Sequence, residues 1–91
     1  MVAGKLNADT SFEEHHQADK AVAELIAEQP GFISRETGIG TNGEWFVIVH
    51  WASLKDAENA GGVFMKSSQG QKSMKLRDPN SILFKHYTVS N

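Results

Sequence analysis

Apolar residues recur along the chain with the two-residue period of strands and the longer period of helices, and this sequence of patterns occurs twice. The aromatic and β-branched run from Trp45 to Trp51 is the strongest strand signal. The pattern predicts helices over residues 11–28 and 54–66, and strands over residues 2–7, 32–39, 45–51 and 82–89. We therefore expect the element order βαββαβ.

Polar residues mark the predicted helix ends. Thr10 and Glu13 have the spacing of a capping box, and Ser53 and Asp56 repeat it before the second helix. Pro30-Gly31 ends the first helix. We expect residues 67–70 to break the second helix, residues 71–76 to form a short further turn, and Gly61-Gly62 to mark a close packing contact.

This order is that of a ferredoxin-like α+β domain spanning residues 1–91, with a four-stranded antiparallel sheet and two helices on one face. Alternation in the third strand places Phe46 and Ile48 on one side and Trp45, Val47, Val49 and Trp51 on the other. Only one set can pack under the helices, and the chain has no further element to cover the other. We therefore expect a homodimer formed through the sheet.

Composition narrows the possible function. The 91 residues carry a net charge of −2 and contain no cysteine, which excludes a disulfide scaffold, a thiolate zinc site and a cysteine nucleophile. The charge is too balanced for an electrostatic nucleic-acid partner. The longest apolar run, five residues from Trp45 to Val49, is far short of the roughly 20 that span a bilayer, so we expect a soluble cytoplasmic protein without a membrane partner. The basic residues Lys66, Lys72, Lys75 and Arg77 are interpreted as a solvated face.

Several short segments carry a family resemblance over residues 5–89. They are Gln29-Pro30-Gly31-Phe32, Gly43-Glu44-Trp45, the run from Ile48 to Ser53, Asp56-Ala57, Asp78-Pro79 and His86-Tyr87. These segments resemble the dimeric α+β barrel superfamily and, within it, the antibiotic-biosynthesis-monooxygenase-like proteins. The resemblance implies two sheets that close into a barrel across a dimer, with a small pocket in each subunit between sheet and helices.

Two activities of that superfamily differ in the residues they require. Haem-degrading members use a strand Asn, a strand Trp and a helical His; Trp51 matches the Trp, but Val2 and Met74 stand near the other two positions. The resemblance therefore implies no haem and favours cofactor-free oxidation of a small aromatic molecule. We also expect no metal site, because His15 and His16 diverge by about 100° on a helix and cannot face one ion.

Two polar residues, His15 and Asp19, fall on the inward stripe of the first helix, which is otherwise formed by Phe12, Val22 and Ile26. A buried carboxylate needs a donor, so Asp19 should meet His15, Arg35, His86 or a tryptophan N–H. The sequence leaves two interpretations open. Asp19 with His15 or His86 forms a catalytic acid–base pair, or the residues form a structural buried pair or lie on a helix rotated enough to bring Asp19 to solvent.

Aromatic residues supply candidate walls for a substrate pocket. Trp45 and Trp51 share one strand face, and the further candidates are Phe12, Phe64 and Tyr87. The combined hypothesis is a small homodimeric, cofactor-independent monooxygenase acting on a small aromatic or apolar molecule. The alternative is a non-catalytic binding or sensing module that uses the same pocket.

Overall fold

A four-stranded antiparallel sheet and three α-helices make up the fold in a computed structural model that describes residues 1–87. The strands lie in the order β2-β3-β1-β4, which is compatible with the ferredoxin-like arrangement and confirms the α+β prediction. The elements are β1 (Val2–Lys5), α1 (Phe12–Ala27), β2 (Phe32–Ile39), β3 (Glu44–Trp51), α2 (Leu54–Lys66), α3 (Ser68–Lys75), a 3₁₀ turn (Pro79–Ser81) and β4 (Leu83–Phe84).

The capping box of α1 lies one residue later than the sequence pattern predicts. Ser11 accepts a hydrogen bond from the Glu14 backbone N–H at 3.1 Å, and the Glu14 carboxylate accepts the Ser11 backbone N–H at 3.4 Å. The Thr10 hydroxyl instead donates to the Leu76 carbonyl at 3.0 Å and so joins the start of α1 to the residue after α3. Beyond the helix, Gly31 adopts a φ of 81°, a conformation that glycine tolerates best.

The second helical region is two helices, so the predicted total of two is wrong. Ser53 caps α2 as expected, accepting from the Asp56 backbone N–H at 3.1 Å. Ser67 then ends α2 and begins α3: its hydroxyl donates to the Phe64 carbonyl at 2.8 Å and accepts from the Gly70 backbone N–H at 2.9 Å. The predicted turn over residues 71–76 is therefore mostly the second half of α3.

The close packing contact expected at Gly61-Gly62 occurs at Gly70 instead. A Cβ at Gly61 or Gly62 would meet nothing within 4 Å, whereas a Cβ at Gly70 would collide with the Phe64 carbonyl. Glycine is thus required where α3 turns back against the end of α2. None of the helices within residues 1–87 combines the length and the apolar character needed to cross a membrane.

The last strand is much shorter than the predicted residues 82–89. Only Leu83 and Phe84 pair with β1, opposite Ala3 and Val2. Beside the remainder of β1 lies the 3₁₀ turn in place of a strand, and the Lys5 backbone N–H donates to the Ser81 hydroxyl at 2.8 Å. Residues 88 and 89 of the predicted strand lie outside the described residues.

Strand register decides which face of the sheet the helices cover. Directly paired residues share a face, so Trp45, Val47 and Arg35 all lie on the helix side. The apolar core consists of Ala18, Val22, Ile26, Trp45, Val47 and Ala60. On the opposite face Phe46 is 40% exposed and Leu83 is 45% exposed. None of the helices in the described part of the chain, residues 1–87, lies over that face.

Candidate functional site

Five side chains with polar groups meet between the helices and the sheet. His15 and Asp19 come from α1, Arg35 from β2, Trp45 from β3, and Arg77 from the segment after α3. All five are largely or fully removed from solvent: His15, Trp45 and Arg77 are 6%, 3% and 4% exposed, and the Arg35 and Asp19 side chains are 8% and 13% exposed. We call these residues the buried polar cluster.

Asp19 and Arg35 form a two-pronged ion pair. Arg35 Nη2 donates to Asp19 Oδ1 at 2.6 Å and Nη1 donates to Oδ2 at 3.3 Å. Arg35 pairs with Val49, and this register places its side chain on the helix side of the sheet. There it meets Asp19, which faces inward on the stripe of α1. Arg35 is one of the donors expected for Asp19, so this part of the sequence interpretation is confirmed.

Arg77 lies over the indole of Trp45, with its Cζ atom 4.0 Å from the ring centroid. Backbone bonds on either side hold it there: the Asn7 N–H donates to the Leu76 carbonyl, and the Asp78 N–H donates to the Lys5 carbonyl, both at 2.9 Å. The expectation of a solvated basic face is therefore wrong for Arg77. The residues next to Arg77 in the sequence do not indicate that Arg77 is buried, because its burial results from long-range pairing with the end of β1.

Three N–H groups of the cluster have no acceptor among residues 1–87: Arg35 Nε, Arg77 Nε and Trp45 Nε1. The remaining contact of the Arg77 side chain is weak, since Nη1 lies 4.0 Å from the Met74 sulfur. An unmade hydrogen bond in a buried site costs about 1–3 kcal/mol, and more for a charged group. The cluster therefore offers unused donors to an acceptor from outside the chain.

Burial also sets the charge states in the cluster. It lowers the pKa of His15, and this effect exceeds the opposing influence of the Asp19 carboxylate, while Arg77 lowers the pKa further. Burial lowers the pKa of Arg77 to about 10 despite the opposing influence of the Asp19 carboxylate, and with this pKa the guanidinium is charged at neutral pH. With His15 neutral, two guanidiniums face one carboxylate, and the cluster carries one uncompensated positive charge.

Two open depressions lie near this layer. One, of about 740 Å³, runs between α1 and α3 and includes Ala18 and Leu76 in its lining. Ala18 is one helical turn after His15 and Leu76 immediately precedes Arg77, but none of the five cluster residues lines this depression. The other, of about 570 Å³, lies at the end of the sheet where β2 turns into β3, and is lined by Ala3, Gly38 and Phe46 of the uncovered face and by Trp45 of the helix side. Neither is the predicted pocket between sheet and helices, where the side chains of the cluster are packed.

The histidines and the carboxylate proposed as an acid–base pair are placed differently. His15 and Asp19 are in the cluster, but His86 is exposed and packs edge-on against Phe84 at 4.8 Å. Phe84 is in β4 and Arg35, the partner of Asp19, is in β2, at opposite edges of the sheet. Three strand spacings separate these edges by about 14 Å. Within one chain the fold does not bring His86 to Asp19.

The proposed aromatic walls are also dispersed. Trp45 and Trp51 share the helix side of β3 but stand about 20 Å apart along the strand. Trp51 instead packs against Phe32 at 5.9 Å. Of the other candidates, Phe12 stacks on His16 and is 61% exposed, Tyr87 is 66% exposed, and Phe64 is half-buried on α2. Trp45 alone among the five belongs to the cluster.

No known family model matches this sequence, and no curated protein is significantly similar to it. The resemblance described above therefore stays a prediction, supported by the residues quoted for it. Among residues 1–87, no three histidine, aspartate or glutamate side chains are grouped so that they could hold a metal ion. The buried polar cluster is the candidate site.

We expect His15 to make folding stability depend on pH. Because its pKa is lower folded than unfolded, the unfolded chain binds more protons as the pH falls below about 6.5, and the free energy of unfolding decreases there. His15→Gln removes this contribution and flattens the dependence between about pH 7 and pH 5. Urea unfolding measured across this range tests the expectation.

The matched control is His16→Gln, at the exposed neighbouring position. It should keep a pH dependence close to that of the parent chain. An unchanged pH dependence in His15→Gln would show that His15 is not the buried neutral group described above.

Proposed function

We propose that this chain is a cofactor-independent monooxygenase that oxidises a small phenol at the buried polar cluster. The observation that carries the proposal is a buried histidine with a lowered pKa, His15, in the same cluster as two guanidiniums. A neutral imidazole can accept the phenolic proton, and a guanidinium stabilises the phenolate formed. The resemblance of the sequence to antibiotic-biosynthesis-monooxygenase-like proteins supports the same reaction class.

The proposed reaction is balanced without a further reductant. His15 takes the proton from the phenol oxygen, and the electron-rich phenolate transfers electrons to O₂ with formation of a carbon–oxygen bond para to that oxygen. The peroxide formed takes back the proton held by His15, and loss of the hydrogen on the attacked carbon together with hydroxide, as water, breaks the O–O bond and leaves a quinone. The substrate gives up four electrons: one atom of O₂ becomes the second quinone oxygen and the other leaves in water.

The remaining residues of the cluster have supporting roles. Asp19 is a positioning residue, because its carboxylate holds both Nη groups of Arg35. Trp45 offers an aromatic surface and fixes the Arg77 guanidinium over its ring. The groove between α1 and α3, which Ala18 and Leu76 help to line, is the proposed entry for substrate.

Oxygen consumption with 1-naphthol tests this proposal. The expected result is one molecule of O₂ consumed for each 1,4-naphthoquinone formed, followed with an oxygen electrode and by absorbance. His15→Gln should lower the rate by about 10²–10⁴-fold, the usual contribution of a general base, while His16→Gln should retain it. Absence of turnover, or equal rates in both variants, would contradict the proposed activity.

A non-catalytic binding module is the second candidate. It is favoured by one observation: Asp19 bonds to Arg35, so among the described residues it forms no hydrogen-bonded dyad with a histidine. In that case 1-naphthol would bind without oxygen consumption.

We also propose that a second copy of the chain covers the open face of the sheet. Phe46 and Leu83 expose 40% and 45% of their surface on that face, and none of the helices formed by residues 1–87 covers them. Pairing of two such faces would form the barrel that the resemblance implies. It would also cover part of the depression that Ala3, Gly38 and Phe46 help to line.

Sedimentation equilibrium at micromolar concentration tests this association. The parent chain should sediment as a dimer, and Phe46→Glu should shift it to monomer because a charge would be buried in the interface. Leu54→Glu changes an equally apolar residue that is 58% exposed at the start of α2, and it should remain dimeric. A monomeric parent chain would be incompatible with the proposed dimer.

A further inference from the structure

We infer that the ligand of this protein carries a carboxylate, which is bound by Arg77 and Trp45 in the buried polar cluster. The inference deepens the proposed function by naming the substrate class, a small aromatic acid. It rests on that function for the location of the ligand and does not require the oxidation step.

Arg77 and Trp45 each have a buried hydrogen-bond donor that is not satisfied within residues 1–87. Arg77 and Trp45 are 4% and 3% exposed, yet Nε of Arg77 and Nε1 of Trp45 have no acceptor in the described chain. Buried donors of this kind are nearly always satisfied in folded proteins. A buried guanidinium in particular needs a counter-ion or a full set of acceptors, because removing an ion from water costs several kcal/mol.

The net charge of the buried polar cluster favours an anionic ligand. The only carboxylate of the cluster, Asp19, bonds to both Nη atoms of Arg35. Arg77 remains charged at neutral pH, and His15 is neutral. A monoanion neutralises the one excess positive charge of the buried polar cluster. A phosphate dianion would replace it with an excess negative charge in the same low-dielectric site.

The geometry of the donors matches a planar carboxylate. The Nε and Nη groups along one edge of a guanidinium point in parallel, and they match the two oxygens of a planar carboxylate. The ring of Trp45, 4.0 Å from Cζ, fixes the guanidinium in place before a ligand arrives. Trp45 Nε1 supplies a further donor without an acceptor. This set favours a planar carboxylate, and the indole of Trp45 is the aromatic surface against which an attached ring would pack.

Other parts of the molecule offer weaker grounds for a ligand. The α1–α3 groove contains Glu13, Glu14 and Lys72 in its lining, and none of these is buried. His86 and Tyr87 are exposed. The cluster is the place where burial, charge and unused donors coincide.

Binding of benzoate, measured by titration calorimetry and thermal unfolding, tests the inference. Benzoate should bind saturably and raise the unfolding temperature, because a ligand that binds only the folded state stabilises it. Benzamide has the same ring and size without the charge, and it should bind at least about tenfold more weakly, since charge-assisted hydrogen bonds contribute about 1.5–3 kcal/mol. Acetate, chloride and phosphate test whether a free anion suffices.

Two conservative variants and one control locate the site. Arg77→Lys keeps the charge and removes the Nε–H and planar edge, and Trp45→Phe keeps the aromatic surface and removes the N–H; each should weaken benzoate binding by about tenfold or more. Lys75→Met removes an exposed positive charge two residues from Arg77 and should leave the affinity within about twofold. Far-ultraviolet circular dichroism confirms that each variant is folded.

Each contrary outcome has a definite meaning. Equal binding of benzoate and benzamide, or full affinity in both conservative variants, would overturn the inference. Acetate, chloride or phosphate binding as tightly as benzoate would assign the site to a free anion and overturn the aromatic acid. If benzoate binds as expected but 1-naphthol is not oxidised, the proposed activity fails and the inference stands. If 1-naphthol is oxidised but benzoate does not bind, the inference fails and the proposed activity stands.

Discussion

The ion pair between Asp19 and Arg35 is the interaction on which the interior of this protein depends. It joins the middle of α1 to β2, an edge strand of the sheet, through two hydrogen bonds in a layer largely closed to solvent. Removing one member of such a pair leaves an uncompensated buried charge and typically costs about 3–5 kcal/mol. A small domain has about 5–15 kcal/mol of total stability, so this contact alone decides a large fraction of it.

The same ion pair determines the character of the rest of the cluster. Because Asp19 neutralises Arg35, Arg77 is left with the π face of Trp45 and a distant sulfur as its described side-chain contacts. Burial together with the neighbouring guanidiniums lowers the pKa of His15 despite the nearby carboxylate. A neutral base beside an uncompensated cation is a site prepared for a proton-donating or anionic ligand. The proposed oxidation and the proposed carboxylate recognition both follow from this imbalance.

Local features of the fold were predictable from the sequence where short-range chemistry decides them. The bounds of β2, the Ser53 cap and the inward position of Asp19 follow from periodicity and capping geometry. Arg35 was among the donors expected for Asp19. The choice between the adjacent hydroxyls of Thr10 and Ser11 was not predictable, because Thr10 bonds instead to a carbonyl 66 residues away.

The rest of the candidate site depends on long-range pairing. Arg77 is buried because residues 76–78 bond to the end of β1, and no pattern near Arg77 records that contact. His86 and Trp51 looked like site residues when only their own strand faces were considered. Strand order and distance along β3 then place them far from Asp19 and Trp45.

Double-mutant cycles of unfolding free energy test most directly whether Asp19 neutralises Arg35 and leaves Arg77 uncompensated. One cycle pairs Asp19→Asn with Arg35→Met, and a second pairs Asp19→Asn with Arg77→Met, all measured by urea unfolding. We predict a coupling of about 2 kcal/mol or more for the first cycle and less than about 1 kcal/mol for the second, since contacting charges couple strongly and non-contacting ones weakly. A coupling between Asp19 and Arg77 as large as that between Asp19 and Arg35 would contradict this account.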